Sequence, residues 1–116
     1  MIKRAAIALI LLAAPAATQT LDGTYHWAGS DPVAGCDLDI YNDGRITIAG
    51  DQITFIETTC TLTNATPIRD MAEGTLFDMV CSGEGEEWTE RVFIYQTFDG
   101  VAVLSRGAAR TYQRCE

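Results

Sequence analysis

The residues of this sequence that are best suited to ligand binding or catalysis lie in an acidic hairpin. Between Cys81 and Arg91 the chain reads Ser-Gly-Glu-Gly-Glu-Glu-Trp-Thr-Glu. The glycines predict a tight turn between two strands. Closely spaced carboxylates attract a cationic group or a calcium ion, and they hydrolyse glycosides only where a cleft raises the pKa of one acid. A solvated turn offers no such cleft. We therefore expect binding of a basic partner through Glu84, Glu86, Glu87, Trp88 and Arg91.

The sequence shows no other catalytic or metal-binding set. His26 is the only histidine, and strand alternation points it away from Tyr25 and Trp27, into solvent. A nucleophile needs a base and a group that orients the base, and no second base is on offer. Residues 39–44 have calcium-loop spacing, but Gly50 stands where the loop needs its glutamate. We expect a protein that is not an enzyme, with no metal and no cofactor.

The start of the chain predicts export. Lys3 and Arg4 precede a short apolar run that ends in small residues, so we interpret residues 1–16 as a signal peptide and 17–116 as a single β-barrel domain. The run is shorter than the about 20 apolar residues that span a bilayer. We expect a periplasmic or secreted protein with no membrane insertion after signal cleavage.

All four cysteines lie in the predicted domain. An even number of cysteines in a small exported domain predicts two disulfides, with three possible connectivities. A zinc site is the alternative, but structural zinc sites favour closely spaced C-x-x-C pairs and none is present.

The charge of the predicted domain argues against two classes of partner. The chain has a formal net charge of −8 at pH 7, and without Lys3 and Arg4 it keeps six arginines, no lysine and 16 acidic residues. Such a surface repels nucleic-acid phosphates and anionic lipids. Solubility explains this charge, and a basic protein partner is the functional alternative.

Apolar residues recur at strand period, with glycine and aspartate at the turns. This pattern predicts an all-β, small antiparallel meander of about eight strands that closes into a barrel. The predicted strands are 21–27, 36–41, 45–49, one running from about Ile53 to Leu62, 75–81, 88–97, 101–105 and 109–115. In the strand that follows the acidic hairpin, Trp88, Val92 and Ile94 share one face, and Arg91, Phe93 and Tyr95 share the other. One face fills the barrel and the other leaves an apolar and arginine patch outside.

A three-residue turn at 42–44 predicts the pairing of the second and third strands. It places Ile40 opposite Ile46 and Leu38 opposite Ile48, which puts four aliphatic side chains on one face.

After the next turn, the sequence leaves open which side chains point into the barrel. A two-residue turn at Gly50-Asp51 pairs Ile48 with Ile53, but continued alternation then points Glu57 inward and Cys60 outward. A bulge near Glu57 would exchange the faces, or Glu57 would lie at the barrel rim. We interpret Glu57 as a partly buried carboxylate available to a ligand.

The longest connection, residues 63–74, predicts one capped helical turn at Thr66–Met71, with proline in its first turn. Because closure brings the last strand beside the first ones, we expect the nested disulfides Cys36–Cys115 and Cys60–Cys81.

The cysteine pattern resembles that of small uncharacterised exported β proteins of Gram-negative bacteria. The similar positions are Glu57-Thr58-Thr59-Cys60, Cys81-Ser82-Gly83-Glu84-Gly85 and Tyr112-Gln113-Arg114-Cys115. This resemblance implies export, disulfides and a small β fold, and no activity. Leu21-Asp22-Gly23 is also similar to the opening strand of the periplasmic inhibitors of secreted metalloproteases, which are small β-barrels with one disulfide.

Together these observations predict an exported, monomeric, disulfide-stabilised binding or inhibitor module for a basic protein partner. One alternative is a carrier that holds a small apolar ligand in a barrel interior lined by Phe55, Phe77 and Val92. A structural protein of the cell envelope is the other.

Overall fold

Residues 21–116, which the computed structural model describes, form a closed antiparallel barrel in which each strand pairs with the next and β8 returns to β1. The predicted signal peptide, residues 1–16, lies outside the described residues. The elements are β1 Gly23–Trp27, α1 Pro32–Cys36, β2 Arg45–Ala49, β3 Gln52–Phe55, β4 Thr58–Ile68, β5 Met71–Gly83, β6 Glu86–Gln96, β7 Gly100–Ser105 and β8 Ala108–Arg114. The all-β class and the closed eight-strand barrel are confirmed. No helix among these residues is long and apolar enough to cross a bilayer.

Alternate side chains of each strand fill the barrel. The completely buried members include Tyr25, Ile53, Val92 and Val101, each with 0% exposure. Burial of one valine or isoleucine side chain contributes about 1.5–3 kcal/mol. The predicted inward face of β6 is confirmed, because Val92 and Ile94 lie in this core and Trp88 packs against it.

The barrel has two ends, because successive strands run in opposite directions. The end that we name the acidic end carries the turns Ile56-Glu57, Glu84-Gly85 and Arg106-Gly107. The end that we name the opposite end carries the turns Gly50-Asp51 and Arg69-Asp70 and residues 97–99.

The register predicted for the Gly50-Asp51 turn is confirmed, with Ile48 opposite Ile53 in β2 and β3. Gly50 has a φ of +61°, a backbone conformation that glycine adopts without a steric penalty.

The predicted second strand, 36–41, is wrong. Asp31 caps α1 by accepting a hydrogen bond from the Val33 backbone N–H, and Pro32 begins the helix. The chain after α1 carries no strand until Arg45, so Leu38 is 71% exposed and its predicted pairing with Ile48 is absent. The predicted pairing of Ile40 with Ile46 is also wrong. The positions beside β2 that were predicted for Leu38 and Ile40 are occupied by β1, which sets Tyr25 opposite Ile46 and Gly23 opposite Ile48.

Arg45 holds the segment that follows β1 in its non-strand path. Its guanidinium donates hydrogen bonds to four backbone carbonyl oxygens, those of Ala34, Gly35, Asp37 and Ile40. Such charge-assisted bonds are stronger than neutral ones. This side chain therefore supplies the partners that a neighbouring strand would have given.

The expectation that His26 is solvated is also wrong. It does point away from the barrel interior, but α1 covers it and leaves 3% of the residue exposed. A Cβ at Gly35 would lie 2.7 Å from the His26 Cβ, so glycine allows the helix to pack directly on β1.

The predicted helical turn at Thr66–Met71 is wrong, because β4 and β5 continue as a hairpin whose last pair is Ile68 with Met71. The pairing of β3 with β4 ends at Thr61, so the distal part of β4 is an open edge. Proline is tolerated at such an edge, where its missing N–H has no ladder partner. The position of Pro67 is thus explained without a helix.

The strand predicted from Ile53 to Leu62 is interrupted by a turn at Ile56-Glu57. This turn allows Ile53 and Cys60 both to be buried, so it resolves the conflict of faces without a bulge at Glu57. The predicted number of strands survives because this division compensates for the absent strand at 36–41.

Both predicted disulfides are confirmed. Cys60 and Cys81 join directly opposite residues of β4 and β5, and Cys36 joins the end of α1 to the chain after β8. In the loop-entropy description, the 21-residue link contributes about 3 kcal/mol and the 79-residue link about 4–5 kcal/mol. Structural disulfides fit an oxidising compartment outside the cytoplasm.

Candidate functional site at the acidic end

The predicted acidic hairpin exists, with strands longer than expected. The last pair is Gly83 with Glu86, and only Glu84 and Gly85 form the turn. Both have positive φ angles, +52° and +81°, as the favoured two-residue hairpin turn requires. The turn therefore holds the exposed carboxylates of Glu84, Glu86 and Glu87 at a defined place on the rim.

Glu57 contacts this hairpin, a proximity that no sequence pattern indicated. A Cβ at Gly83 would lie 2.6 Å from the Glu57 carbonyl oxygen, so only glycine lets the β3–β4 turn approach this closely. A hydrogen bond to the Glu84 carboxyl, together with its charge, raises the pKa of Glu57 above its ordinary value. The Glu57 side chain is exposed at the rim, so its expected partial burial is wrong.

Trp88 forms the apolar wall beside these carboxylates. It is half-buried against the core, and its indole N–H donates a 2.9 Å hydrogen bond to Glu90 Oε2. A shallow pocket of about 300 Å³ opens between Thr58, Gly83, Glu84, Glu86 and Trp88. A fixed indole next to carboxylates is suited to a cation, which interacts favourably with both.

The structure does not place Arg91 with the other predicted binding residues. Its side chain lies on the outer face of β6 and forms a 3.0 Å ion pair with Asp78. The Asn64 amide donates a 2.8 Å hydrogen bond to the same carboxylate. These hydrogen bonds, that from Asn64 foremost and then that from Arg91, lower the pKa of Asp78. Arg91 belongs to the predicted apolar and arginine patch outside the barrel, where it borders Leu76, Phe93, Leu104 and Arg106.

The sequence interpretation missed a cup in the barrel mouth at the acidic end. It has a volume of about 430 Å³ and is lined by Trp27, Phe55, Val103, Arg110 and Tyr112, among others. Burial raises the pKa of Tyr112, and the charge of Arg110 opposes this effect. Strand alternation was the available signal, because Tyr25 and Trp27 share a face, as do Arg110 and Tyr112.

The middle of the barrel is packed. Val92 has 0% exposure, and Phe55 and Phe77 pack against the buried cluster. Within the barrel, the cup lies above this packed core.

The acidic end brings carboxylates together on one rim, beside an indole ring. His26 lies under α1 and is not among the residues that line the pocket beside Glu84 and Trp88. Across residues 21–116, no three histidine, cysteine, aspartate or glutamate side chains converge as a metal site. The arrangement supports recognition of a positive charge.

Comparison with protein-family models, curated proteins and solved structures found no match for this chain.

Proposed function

We propose that this protein is an exported binding module, acting as a monomer outside the cytoplasm, that recognises a basic protein partner through its acidic end. Glu57, Glu84, Glu86 and Glu87 bind the cations of the partner, and Trp88 provides the adjoining apolar contact. The role is recognition without catalysis.

The observation that carries this proposal is a group of carboxylates without cationic partners on a rigid rim. Within residues 21–116 the single ion pair joins Arg91 to Asp78, so no arginine neutralises the rim glutamates. Glu57 and Glu84 repel one another as anions, which contributes to the raised pKa of Glu57. A lysine or arginine of a partner would relieve this repulsion.

The strands that carry the acidic rim favour tight binding, because few of their residues must become ordered when a partner binds. The Cys60–Cys81 disulfide closes the strands directly below the hairpin. A preorganised surface loses less conformational entropy on association. Such a rim also suits an inhibitor, the role that the likeness of Leu21-Asp22-Gly23 to periplasmic protease inhibitors suggests.

A matched charge-removal experiment tests the site. Variant one combines Glu84→Gln, Glu86→Gln and Glu87→Gln, and variant two combines Asp51→Asn, Asp70→Asn and Glu73→Gln at the opposite end. Both change the net charge equally. Proteins of high isoelectric point captured from an extracytoplasmic extract are identified, purified and titrated calorimetrically against each form.

The wild type and variant two should bind the purified partner with similar affinity. Variant one should bind about ten-fold more weakly, and its residual binding should depend less on salt, because surface ion pairs of about 0.2–1 kcal/mol each are lost. Equal weakening by the two variants would show that only overall charge matters and would reject the site.

The cup provides the observation for a second candidate function, carriage of a small apolar ligand. Trp27 is 45% exposed above it, and Arg110 could pair with an acidic group of that ligand. Tryptophan fluorescence during titration with decanoate tests this function. A saturable change that Arg110→Gln weakens would support it, and unchanged fluorescence at millimolar decanoate would exclude it for fatty acids.

A further inference from the structure

A groove lies on the outside of the barrel, away from the acidic rim. Its walls are α1, the β6–β7 connection at 97–99 and the chain at the end of β8, and its volume is about 670 Å³. The Cys36–Cys115 disulfide links two of these walls. A Cβ at Gly100 would overlap the Tyr112 carbonyl oxygen. Glycine at this position therefore allows the β6–β7 connection, which forms the third wall, to pack against β8.

His26 makes this groove a built site. His26 belongs to the lining of the groove, although only 3% of the residue is exposed. Its Nδ1 lies 3.0 Å from the Trp27 carbonyl oxygen and 3.2 Å from Ser30 Oγ, and that hydroxyl itself donates to the same carbonyl. A carbonyl only accepts, so the proton of the neutral ring resides on Nδ1.

In this neutral tautomer the second ring nitrogen, Nε2, is an acceptor. In the part of the chain that the structure describes, His26 Nε2 has no hydrogen-bond partner. A buried acceptor without a partner is unfavourable. A ligand with an N–H donor would satisfy it.

Two residues of the groove lining are exposed and apolar. Phe98 is completely exposed at 106% and Val33 is 73% exposed, and both line the groove. Exposed apolar side chains that share one recess are typical of a ligand-binding groove.

The charged groups of the groove that remain available to a ligand are carboxylates. Asp99 and Glu116 line it, and the Gln113 amide orients the Asp99 carboxylate through a 3.1 Å hydrogen bond. Arg114 also lines it, but its guanidinium donates to the Asp22 carbonyl oxygen at 2.7 Å and to the Tyr25 hydroxyl at 2.9 Å. The carboxylates are left to meet a cation.

We propose that this groove binds an ammonium or guanidinium group attached to an apolar body. The cation lies by the Asp99 carboxylate, an N–H donor of the ligand bonds to His26 Nε2, and the apolar part packs on Phe98 and Val33. Either a free amine or a lysine or arginine side chain of a peptide supplies this chemistry. The groove is independent of the proposed partner site at the acidic end.

Two pairs of probes distinguish the sources. Phenethylammonium is compared with neutral 2-phenylethanol, and acetyl-Leu-Lys-Leu-amide with acetyl-Leu-Glu-Leu-amide, each titrated into 15N-labelled protein. The readouts are the backbone amide shifts and the 15N shift of His26 Nε2, which reports a hydrogen bond at that nitrogen. Cationic probes should shift this nitrogen and the amides of residues 97–99, whereas the alcohol and the acidic peptide should bind at least about five-fold more weakly. The tighter cationic probe identifies the source.

Matched variants assign the binding to the groove. Asp99→Asn should weaken the cationic probe about three-fold and Phe98→Ala about five-fold, in line with exposed charge and cation–π contacts. Asp51→Asn, an equal charge change outside the groove, should have no effect. Both groove side chains are exposed, so the fold should be retained.

The proposal is overturned if the cationic and neutral probes bind equally, if Asp99→Asn and Asp51→Asn behave alike, or if the shifted amides belong to the acidic hairpin. A hairpin response would leave the proposed function standing while removing the groove. A groove response that persists in the Glu84, Glu86 and Glu87 triple variant would show that the two sites are separate.

Discussion

The acidic end and the groove are both negatively charged, but they are assembled in different ways. The hairpin owes its shape to neighbouring residues, chiefly the turn Glu84-Gly85 with its positive φ angles. The groove joins α1, residues 97–99 and the end of β8, which are distant in sequence and are linked by a disulfide of 79-residue separation. Local turn chemistry therefore fixes one surface, and long-range covalent closure fixes the other.

Removing the disulfides one at a time should reveal the largest difference between these two surfaces, in unfolding free energy and in hydrogen exchange. The Cys36→Ser, Cys115→Ser variant should lose about 4–5 kcal/mol of unfolding free energy, and the Cys60→Ala, Cys81→Ala variant about 3 kcal/mol, because the longer link restricts the unfolded chain more. Urea denaturation measures both values.

Hydrogen exchange in the same two variants locates the damage. Loss of Cys36–Cys115 should speed exchange in β1, which contains His26, and in α1, which covers it, and leave the β5–β6 hairpin protected. The proposed difference between the two surfaces is refuted if loss of Cys60–Cys81 speeds exchange in β1 and α1 as much as loss of Cys36–Cys115 does.

Gly83→Ala should damage the acidic end alone. The new Cβ would lie 2.6 Å from the Glu57 carbonyl oxygen and 2.8 Å from Thr58 Oγ1, so the β3–β4 turn must move, at a cost of about 1–3 kcal/mol. The displaced Glu57 should lose its contact with Glu84, and its pKa should return toward the ordinary value. Thermal unfolding and carboxyl 13C titration measure the two effects.

Gly107→Ala is the matched control for this change. Gly107 has a φ of +82° and no atom near its would-be Cβ, so the variant carries backbone strain without displacing Glu57. An unchanged Glu57 pKa in Gly83→Ala would refute the role of this close approach.

The sequence predicted those parts of the fold that depend on alternation and on glycine turns. The register of β2 with β3 and the inward face of β6 follow from side-chain period and turn length. Closure of the meander was enough to choose the disulfide pairing, because it brings the last strand beside the first.

Features that depend on distant side chains were not predictable in this way. Residues 36–41 alternate like a strand, but Arg45 satisfies the backbone carbonyls of this region from outside it. The pair Glu57 and Glu84 depends on the missing side chain of Gly83. The groove requires three separate segments, so no local pattern indicates it.

The smallest expected effect concerns the proton that Glu57 holds. Its pKa is raised mainly by the hydrogen bond to Glu84 and by the charge of that carboxyl, so Glu84→Gln should lower it toward the ordinary glutamate value. Glu86→Gln, which removes a neighbouring carboxylate, should leave it nearly unchanged. Carboxyl 13C shifts followed against pH measure each variant.

The sign of the accompanying stability change follows from linkage. A raised pKa means that the folded protein binds this proton more tightly than the unfolded chain, so the contribution is complete below the ordinary pKa and is lost as pH rises through the raised value. Asp78 has a lowered pKa, so its contribution is lost instead as pH falls. On acidification through the window above the ordinary glutamate pKa, the wild type should therefore gain stability relative to Glu84→Gln. Parallel stability profiles for the two proteins would show that the carboxyls do not share a proton, and the acidic end would then be a set of independent charges.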